Sequence, residues 1–340
     1  MRRLLALHSA VAKPASASGI CTFHPYRNVM SVASVQNTSA EAGSPLLAPV
    51  TTALIKQEHL DAFFSDCITC IPKLLSDDLC EALKHEIASI VDVERERLLA
   101  APKAHGGPTT FDTYSQKHTS DEYFMTSGDK VRFFFEAGVD STRPENMTVA
   151  NLNKVGHGLH LREGSLFRSF TGHPFFSSLL RRVGMRSPSV VQSMYIMKSP
   201  KVGAAVQPHQ DSTWLHTSPM SCVGVWFALD DCDVNNACLM AIKGSHFTHG
   251  ALSARCKLVP GSTLKSELHG HLPIVDAAAE MVPVECPKGS LVMFNGQCIH
   301  GSAQNLSERQ RHAYVFHAVD DHCSWSDENW MAPTAGRLRL

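Results

Sequence analysis

The sequence contains no long apolar segment and no excess of charge of one sign. A membrane-spanning helix needs roughly 20 predominantly apolar residues, and no such run occurs in the 340 residues. Lys and Arg number 31 and Asp and Glu number 32, so the formal net charge is -1. A balanced charge provides no overall field to attract nucleic acid or an anionic membrane. We therefore expect neither a membrane span nor a nucleic-acid partner.

The cysteine and histidine patterns of several protein classes are also missing. Eleven cysteines, an odd number in a chain without a secretory signal, favour reduced thiols over a disulfide framework. Cys67 and Cys70 form a C-x-x-C pair, but no second pair completes a zinc finger. An H-E-x-x-H pattern is absent as well, which argues against a zinc hydrolase.

Acidic residues are absent from the first forty positions. The positive charges of this segment are Arg2, Arg3, Lys13 and Arg27, and serines are frequent. This composition is typical of a mitochondrial transit peptide, and a disordered tail is the alternative interpretation. We assign residues 1–50 to a targeting or disordered extension. The expected location is mitochondrial, with cytoplasmic and peroxisomal locations as alternatives.

Helical patterns precede β patterns in the rest of the chain. Periodicity predicts helices over Leu54–Phe64 and Ser76–Leu99, a strand at Val131–Phe135, and two short helices within Leu159–Val183. Short β-rich runs then cover Val190–Met197, Cys222–Leu229, Cys238–Ile242, Met281–Val284, Leu291–Phe294 and Ala313–Val319.

This order predicts a mainly β protein with helical support, of the α+β class, built around a double-stranded β-helix or jelly roll. We expect one domain over residues 51–340. Its parts would be helical support in 51–187, a jelly-roll core in 188–320 and a C-terminal segment in 321–340.

A candidate metal-binding motif is Pro208-His209-Gln210-Asp211. Residues two apart on a strand share one face, so His209 and Asp211 can reach one metal ion while Gln210 points away. His300, which follows the apolar strand Leu291–Phe294, offers a third ligand. Strands of an antiparallel jelly roll can bring such distant segments together. Two histidines and one carboxylate that leave coordination positions open are typical of non-heme Fe(II) oxygenases.

An anion-binding residue is expected eleven positions after His300. Arg311 begins a mostly apolar strand, where a buried guanidinium requires an anionic partner and suits a carboxylate. Arg309 shares the same strand parity, but we expect it to lie at the surface. Arg311 is therefore the predicted carboxylate-binding residue.

These motifs resemble those of the phytanoyl-CoA dioxygenase family of Fe(II)/2-oxoglutarate oxygenases. The resemblance runs from about Leu54 to the C-terminal region, and includes Ser127–Glu136, Val191–Tyr195, Lys243–His246 and Trp325–Trp330. These stretches are most similar to the branch of phytanoyl-CoA dioxygenase domain-containing proteins. The resemblance implies the iron ligands His209, Asp211 and His300. It also implies 2-oxoglutarate contacts from Lys154, Met194, Trp226, Ser302 and Arg311.

The resemblance further implies a reaction. Its cofactors would be Fe(II), 2-oxoglutarate and O2, with ascorbate as a possible support. Hydroxylation is favoured because Asp211 is retained where related halogenases have a small residue. The substrate would be a small molecule such as a fatty acyl or acyl-CoA compound, and the products would include succinate and CO2. A jelly-roll sensor that binds metal or 2-oxoglutarate with little turnover is the alternative. We expect a monomer.

Overall fold

A computed structural model describes residues 47, 54–100, 108–111, 117–249, 252–331 and 336–340. The predicted extension 1–50 lies outside these residues apart from Leu47, so it stays a prediction. The helices are α1 Gln57–Asp66, α2 Asp77–Ala100, α3 Glu122–Met125, α4 Leu166–Thr171, α5 Pro174–Arg182, α6 Ser245–Thr248 and α7 Ala277–Glu280. None of the helices in these ranges is both long enough and apolar enough to cross a bilayer.

Strands outnumber helices in the described residues. In the first half they are β1 Ile68–Ile71, β2 Thr109–Thr110, β3 Val131–Phe135, β4 Leu152–His157, β5 Pro188–Lys198, β6 Val206–His209, β7 Thr217–Ser218 and β8 Val223–Ala228. In the second half they are β9 Leu239–Ala241, β10 Ala254–Leu258, β11 Ser266–Gly270, β12 Val282–Val284, β13 Leu291–Asn295, β14 His300–Ser302, β15 Arg311–Asp320, β16 Ser324–Trp325 and β17 Leu338–Arg339.

Two sheets face each other as a jelly roll, and their strand pairs are antiparallel except for the parallel pair of β2 and β3. The large sheet has nine strands in the order β1-β13-β8-β15-β5-β4-β3-β2, with β17 also paired to β5. The smaller sheet has the order β12-β9-β14-β6. The predicted mainly β, jelly-roll fold is therefore confirmed. The segment 51–187 contributes strands β1 to β4 to the large sheet in addition to its helices, and the proposed division of the domain stays a prediction.

Local sequence signals explain the helices. The Ser76 hydroxyl accepts a hydrogen bond from the backbone N–H of Leu79, at 3.2 Å, and thereby caps α2. The buried residues of α2, which include Leu83 and Ile87, recur at helical spacing and face the sheet. Pro174 occupies the first turn of α5, where a missing N–H costs nothing.

The large sheet has two apolar faces with different roles. On strand β15, Tyr314 and Phe316 point to the outer face, which α2, α4 and α5 cover. Phe316, for example, packs edge-to-face on Phe176 of α5 with ring centroids 5.2 Å apart. Ala313 and Val315 point inward, toward the smaller sheet. The period-two alternation of a strand thus separates a helix-covered core from the space between the sheets.

Candidate metal centre

Two histidines and one aspartate meet where strands of the smaller sheet pair. His209 ends β6, His300 begins β14, and the two lie directly opposite each other in the register. Asp211 starts the short 3-10 turn Asp211–Thr213 just after β6. One ligand atom from each residue lies within 4.8 Å of the others. These three residues form the group of potential metal ligands that the described part of the chain contains.

Backbone carbonyls fix the orientation of both imidazoles. The Nδ1 atoms of His209 and His300 lie 2.8 Å and 3.1 Å from the carbonyl oxygens of Gln207 and Cys298. Because a carbonyl only accepts, each Nδ1 carries the hydrogen and each Nε2 keeps its lone pair. The two Nε2 atoms lie 3.5 Å and 3.9 Å from Asp211 Oδ1.

The ionisation states also suit a metal ion. Burial lowers the pKa of His300 to about 4, so its imidazole is neutral at physiological pH. For Asp211, burial opposes ionisation, but the electrostatic interactions with His317 and His300 and the imidazole hydrogen bonds outweigh it. The pKa of this carboxyl therefore lies well below its usual range. The imidazoles of His209 and His300 and the carboxylate of Asp211 converge, and these residues fit a divalent iron that keeps open coordination positions.

His317 holds the other carboxylate oxygen of Asp211. Its Nε2 lies 3.1 Å from Asp211 Oδ2, in the buried interior. Since a carboxylate only accepts, Nε2 carries the hydrogen, and Nδ1 is left as an acceptor. That Nδ1 atom is buried and has no hydrogen-bond partner among the described residues. His317 therefore orients Asp211 and presents one acceptor of its own to the neighbouring cavity.

A cavity of about 190 Å³ lies between the sheets and reaches the metal centre. Its lining includes His209, Asp211 and His300 together with the five further residues predicted as co-substrate contacts, which are Lys154, Met194, Trp226, Ser302 and Arg311. The structure thus brings all eight predicted site residues to one cavity. Their roles as ligands and contacts stay predictions.

Arg311 is a buried cation without a carboxylate partner in the described residues. Its side chain is 1% exposed, and its Nε and Nη2 atoms both donate to the Ala237 carbonyl, at 3.1 Å and 2.9 Å. Nη1 has no hydrogen-bond partner among the described residues. Burying an unpaired charge is costly, so this guanidinium is prepared for an anion that enters the cavity. Arg309, by contrast, lies at the surface and pairs with Asp233 at 2.5 Å.

Two lysines add positive charge to the cavity. Lys154 is buried with its Nζ 3.5 Å from the centre of the Phe111 ring, and burial lowers its pKa to about 7. Lys198 donates to the carbonyls of Ala204 and Ala303, and its pKa is lowered by burial and then by the neighbouring Arg311. Asp211 is the acid that lines the cavity among the described residues. Lysine and arginine side chains therefore outnumber acids in the lining of the cavity.

Part of the cavity wall is aromatic. Phe111, Phe124, Trp214 and Trp330 line it, and the rings of Phe124 and Trp330 lie 4.9 Å apart. His157 contacts the Trp330 ring at 5.3 Å and adds a polar edge to this wall. The cavity thus combines buried basic side chains with aromatic ones, and Lys154 lies against the aromatic rings.

His317 and Lys198 were not among the predicted site residues. For His317 a signal existed, because Arg311, Ala313, Val315 and His317 share one parity on the strand, and a polar residue on the cavity face suggests a function. His312 has the opposite parity and lies in the core, with its Nδ1 3.0 Å from the Tyr195 hydroxyl. Lys198 directly follows the predicted strand Val190–Met197, and no pattern in the sequence distinguishes it from a surface lysine.

A jelly roll with two histidines and one carboxylate beside a cationic cavity defines the class of non-heme iron oxygenases. Comparison with known proteins agrees with this class. The sequence model of the family described as "Phytanoyl-CoA dioxygenase (PhyH)" matches residues 66–313. The chain belongs to the phytanoyl-CoA dioxygenase family.

Curated relatives cover most of the chain. The chain is 38% identical over 291 residues to "Phytanoyl-CoA dioxygenase domain-containing protein 1" of Bos taurus, covering 83% of this chain and 96% of the relative. It is 35% identical to "Phytanoyl-CoA dioxygenase" of Arabidopsis thaliana, covering 82% and 94%. Among solved structures, the "non-heme alpha ketoglutarate dependent carbocyclase SnoK" shares the fold with a TM-score of 0.51 and 19% identity, covering 82% and 90%.

Proposed function

We propose that this protein is an Fe(II)- and 2-oxoglutarate-dependent dioxygenase that hydroxylates a small molecule. The observation that carries the proposal is the pairing of the His209, Asp211 and His300 centre with the unpartnered guanidinium of Arg311 in one cavity. A metal centre alone is compatible with many reactions. A buried cation beside it, with no carboxylate partner in the described residues, calls for an anionic co-substrate.

The residues of the cavity would have separate roles. His209, Asp211 and His300 would hold Fe(II), and Arg311 would pair with a carboxylate of 2-oxoglutarate through its free Nη1. Bound iron supplies the activation of O2, with 2-oxoglutarate as the source of electrons and with succinate and CO2 as products. Ala237 holds the guanidinium in place by accepting from both Nε and Nη2. Lys154 would add a second positive charge near the dianion.

Hydrophobic side chains would orient and shield the reactants. Trp226 and Met194 line the cavity and would exclude water from a bound co-substrate. Ser302 offers a hydroxyl at the same cavity. Exclusion of water strengthens the electrostatic interactions within the site.

The aromatic wall supports a substrate with an apolar body. Phe124, Trp214 and Trp330 can pack against an alkyl chain or a ring, whereas they offer little to a strongly polar molecule. A fatty acyl or acyl-CoA compound meets this requirement at its acyl end. The free Nδ1 of His317 would accept a hydrogen bond from a substrate that carries a hydroxyl or an amide N–H.

Release of CO2 from labelled 2-oxoglutarate tests the proposal. Purified protein would be supplied with Fe(II), ascorbate and O2, and CO2 and succinate would be measured with and without candidate acyl substrates. We expect turnover by the unaltered protein and its loss in Asp211→Ala. Arg311→Met should raise the 2-oxoglutarate KM strongly, because the charge-assisted contact from Nη1 is lost.

Arg309→Met is the matched control for Arg311. Both arginines lie at the start of the same strand, but Arg309 is exposed and paired with Asp233, so its replacement should leave the 2-oxoglutarate KM unchanged. Stoichiometric binding of metal and 2-oxoglutarate without CO2 release, with every substrate tested, would favour the sensor alternative. Failure to bind a divalent metal would contradict the assignment of His209, Asp211 and His300.

A further inference from the structure

Two polar side chains lie side by side on the cavity face of the large sheet. Gln192 on β5 is the register partner of His317 on β15, and both residues line the cavity. Residues directly opposite each other on one face of an antiparallel pair have their Cβ atoms about 4.5–5.5 Å apart. One small group of a bound molecule can therefore contact both side chains. We call Gln192 and His317 the polar pair.

Both members of the polar pair have hydrogen-bonding capacity that the described residues leave unused. His317 is 3% exposed, and because its Nε2 donates to Asp211 Oδ2, its Nδ1 is an acceptor. That Nδ1 has no partner among the described residues. Gln192 is 7% exposed, and no hydrogen bond joins its side-chain amide to a described residue. Unpaired polar groups are costly to bury, so the polar pair fits a ligand that supplies both partners.

The charges around the polar pair favour a neutral ligand. A carboxylate would turn its lone pairs toward the lone pair of His317 Nδ1, and the Asp211 carboxylate lies on the other side of that imidazole. An ammonium group would enter a cavity lined by the basic side chains of Lys154, Lys198 and Arg311. A hydroxyl group carries no charge, and its single oxygen both donates and accepts. It therefore complements an acceptor and an amide donor that lie side by side.

We propose that the polar pair is a hydroxyl-binding site and that the substrate is an alcohol with an apolar body. The hydroxyl donates to His317 Nδ1 and accepts from the Nε2 amide group of Gln192. The identification of this alcohol as the substrate rests on the proposed function, whereas the binding of a hydroxyl group by the polar pair does not.

The hydroxyl-binding site lies beside the metal centre and apart from the expected carboxylate of 2-oxoglutarate. His317 is hydrogen-bonded to Asp211 at 3.1 Å. Arg311 begins the same strand, and the six residues of extended backbone between it and His317 span roughly 20 Å. Trp214 and Leu215 also line the cavity and can pack against the apolar body of the alcohol. An alcohol bound by the polar pair therefore leaves Arg311 to the co-substrate.

A matched series of small molecules tests the preference for a hydroxyl. The full chain would be loaded with Zn(II), which is diamagnetic and does not activate O2, and saturated with 2-oxoglutarate. Cyclohexylmethanol, cyclohexanecarboxylate and cyclohexylmethylammonium share one apolar ring and differ in their polar group. Titrations followed by saturation-transfer NMR measure the three Kd values. We expect the alcohol to bind about tenfold more tightly than the other two, because it makes both hydrogen bonds. Equal or tighter binding of the carboxylate or the ammonium compound would overturn the proposal.

Gln192→Met tests the amide side of the polar pair. The variant keeps the length of the side chain but removes its hydrogen bond, so the Kd of cyclohexylmethanol should rise about fivefold. Gln310→Met is the matched control, because Gln310 is exposed and lies outside the lining of the cavity. It should bind the alcohol like the unaltered protein. An unchanged alcohol Kd in a folded Gln192→Met variant would contradict the role of Gln192.

The ¹⁵N resonance of His317 Nδ1 tests the other side of the polar pair without altering it. In protein with ¹⁵N-labelled histidine, this nitrogen should resonate as an unprotonated ring nitrogen and shift upfield when cyclohexylmethanol binds. The resonance is identified by its loss in His317→Gln. A protonated Nδ1 in the free protein at neutral pH, or a resonance that does not move at saturating alcohol, would overturn the proposal.

Failure of the hydroxyl-binding site and failure of the proposed function give different results. Absence of 2-oxoglutarate binding would contradict the proposed function, while the response of the His317 resonance to cyclohexylmethanol would still decide the hydroxyl-binding site. Binding of 2-oxoglutarate without binding of cyclohexylmethanol would reject the hydroxyl-binding site and leave the proposed function in place.

Discussion

Arg311, Lys154 and His317 are buried polar residues whose interactions within the described part of the chain are incomplete. Arg311 has a free Nη1 and His317 a free Nδ1, and Lys154 faces aromatic rings. Buried polar groups in folded proteins are nearly always satisfied, and exceptions often mark functional sites. All three residues line the same cavity. The polar atoms that they leave unused are therefore available to a molecule bound there.

Binding of 2-oxoglutarate should weaken with rising pH because of Lys154. Burial lowers the pKa of its ammonium group to about 7 in the free protein, and a bound dianion favours the charged form. Below this pH the lysine is already protonated, so the affinity is constant. Above it, binding must take up a proton, and the Kd should rise by up to about tenfold per pH unit. Titration calorimetry of the Mn(II)-loaded protein at pH values from about 6 to about 9 measures this slope.

Lys154→Met is the variant that separates this effect from other titrations. It should bind 2-oxoglutarate weakly at low pH, and its affinity should fall little further as the pH rises. An equal slope in Lys154→Met and in the unaltered protein would contradict the assignment.

Replacement of His317 by Phe should weaken metal binding. The substitution keeps an aromatic ring but removes the hydrogen bond to Asp211 Oδ2 at 3.1 Å. Loss of such a partner of a metal-ligating carboxylate typically costs about 10–100-fold in metal affinity. Titration with Co(II), followed by its absorption spectrum, measures the affinity independently of turnover. His317→Gln, whose amide can donate to the carboxylate, should recover part of it.

At the scale of elements, the contact of β8 with β13 supports the metal centre. Gly224 on β8 pairs with Phe294 on β13, and the Phe294 ring lies 4.4 Å from the ring of His300. A Cβ added at Gly224 would lie 2.3 Å from Phe294 Cε2. The missing side chain of one strand therefore makes room for the ring that packs under His300.

Gly224→Ala should destabilise the protein and weaken its metal affinity together. Overpacking of a buried site costs about 1–3 kcal/mol, and the displaced Phe294 ring would press on His300. Thermal unfolding and Co(II) titration measure the two effects. The double variant Gly224→Ala, Phe294→Leu removes the clash and should bind metal more tightly than Gly224→Ala alone. Equal losses of metal affinity in the single and double variants would show that the Phe294 ring does not cause the loss.

At the scale of the whole molecule, the cavity joins the two sheets. Arg311 and Trp226 come from the large sheet, while His209 and His300 come from the smaller one. A co-substrate held by both sheets binds the folded protein and not the unfolded chain. Binding should therefore stabilise the fold as a unit.

The unfolding midpoint should rise when 2-oxoglutarate is added to the Mn(II)-loaded protein. At a ligand concentration of about 100 times Kd, the free energy of unfolding increases by about 2.7 kcal/mol. Arg311→Met should lose this increase at the same concentration, and Arg309→Met should keep it. Differential scanning calorimetry provides the measurement. A full ligand effect in Arg311→Met would mean that the co-substrate is held elsewhere.

Much of the fold could be predicted from the sequence because its signals are local. The helix α2 was anticipated within one residue at each end, since Ser76 caps it and its apolar residues have helical spacing. Strands β5, β8, β13 and β15 were anticipated because they are apolar runs between turn residues. Strands β2 and β7, with two residues each, have no pattern of their own and exist only through their partners.

The sequence alone also determined which residue types could form the metal site. The spacing of His209 and Asp211 and the parity of Arg311 are properties of an extended backbone, so they can be recognised without a structure. The tertiary structure decided which distant groups meet there. His317 reaches Asp211 and Lys198 enters the cavity only because the register of the antiparallel strands places them so. Such contacts depend on strand pairing over long sequence separations, for which a local sequence pattern carries no information.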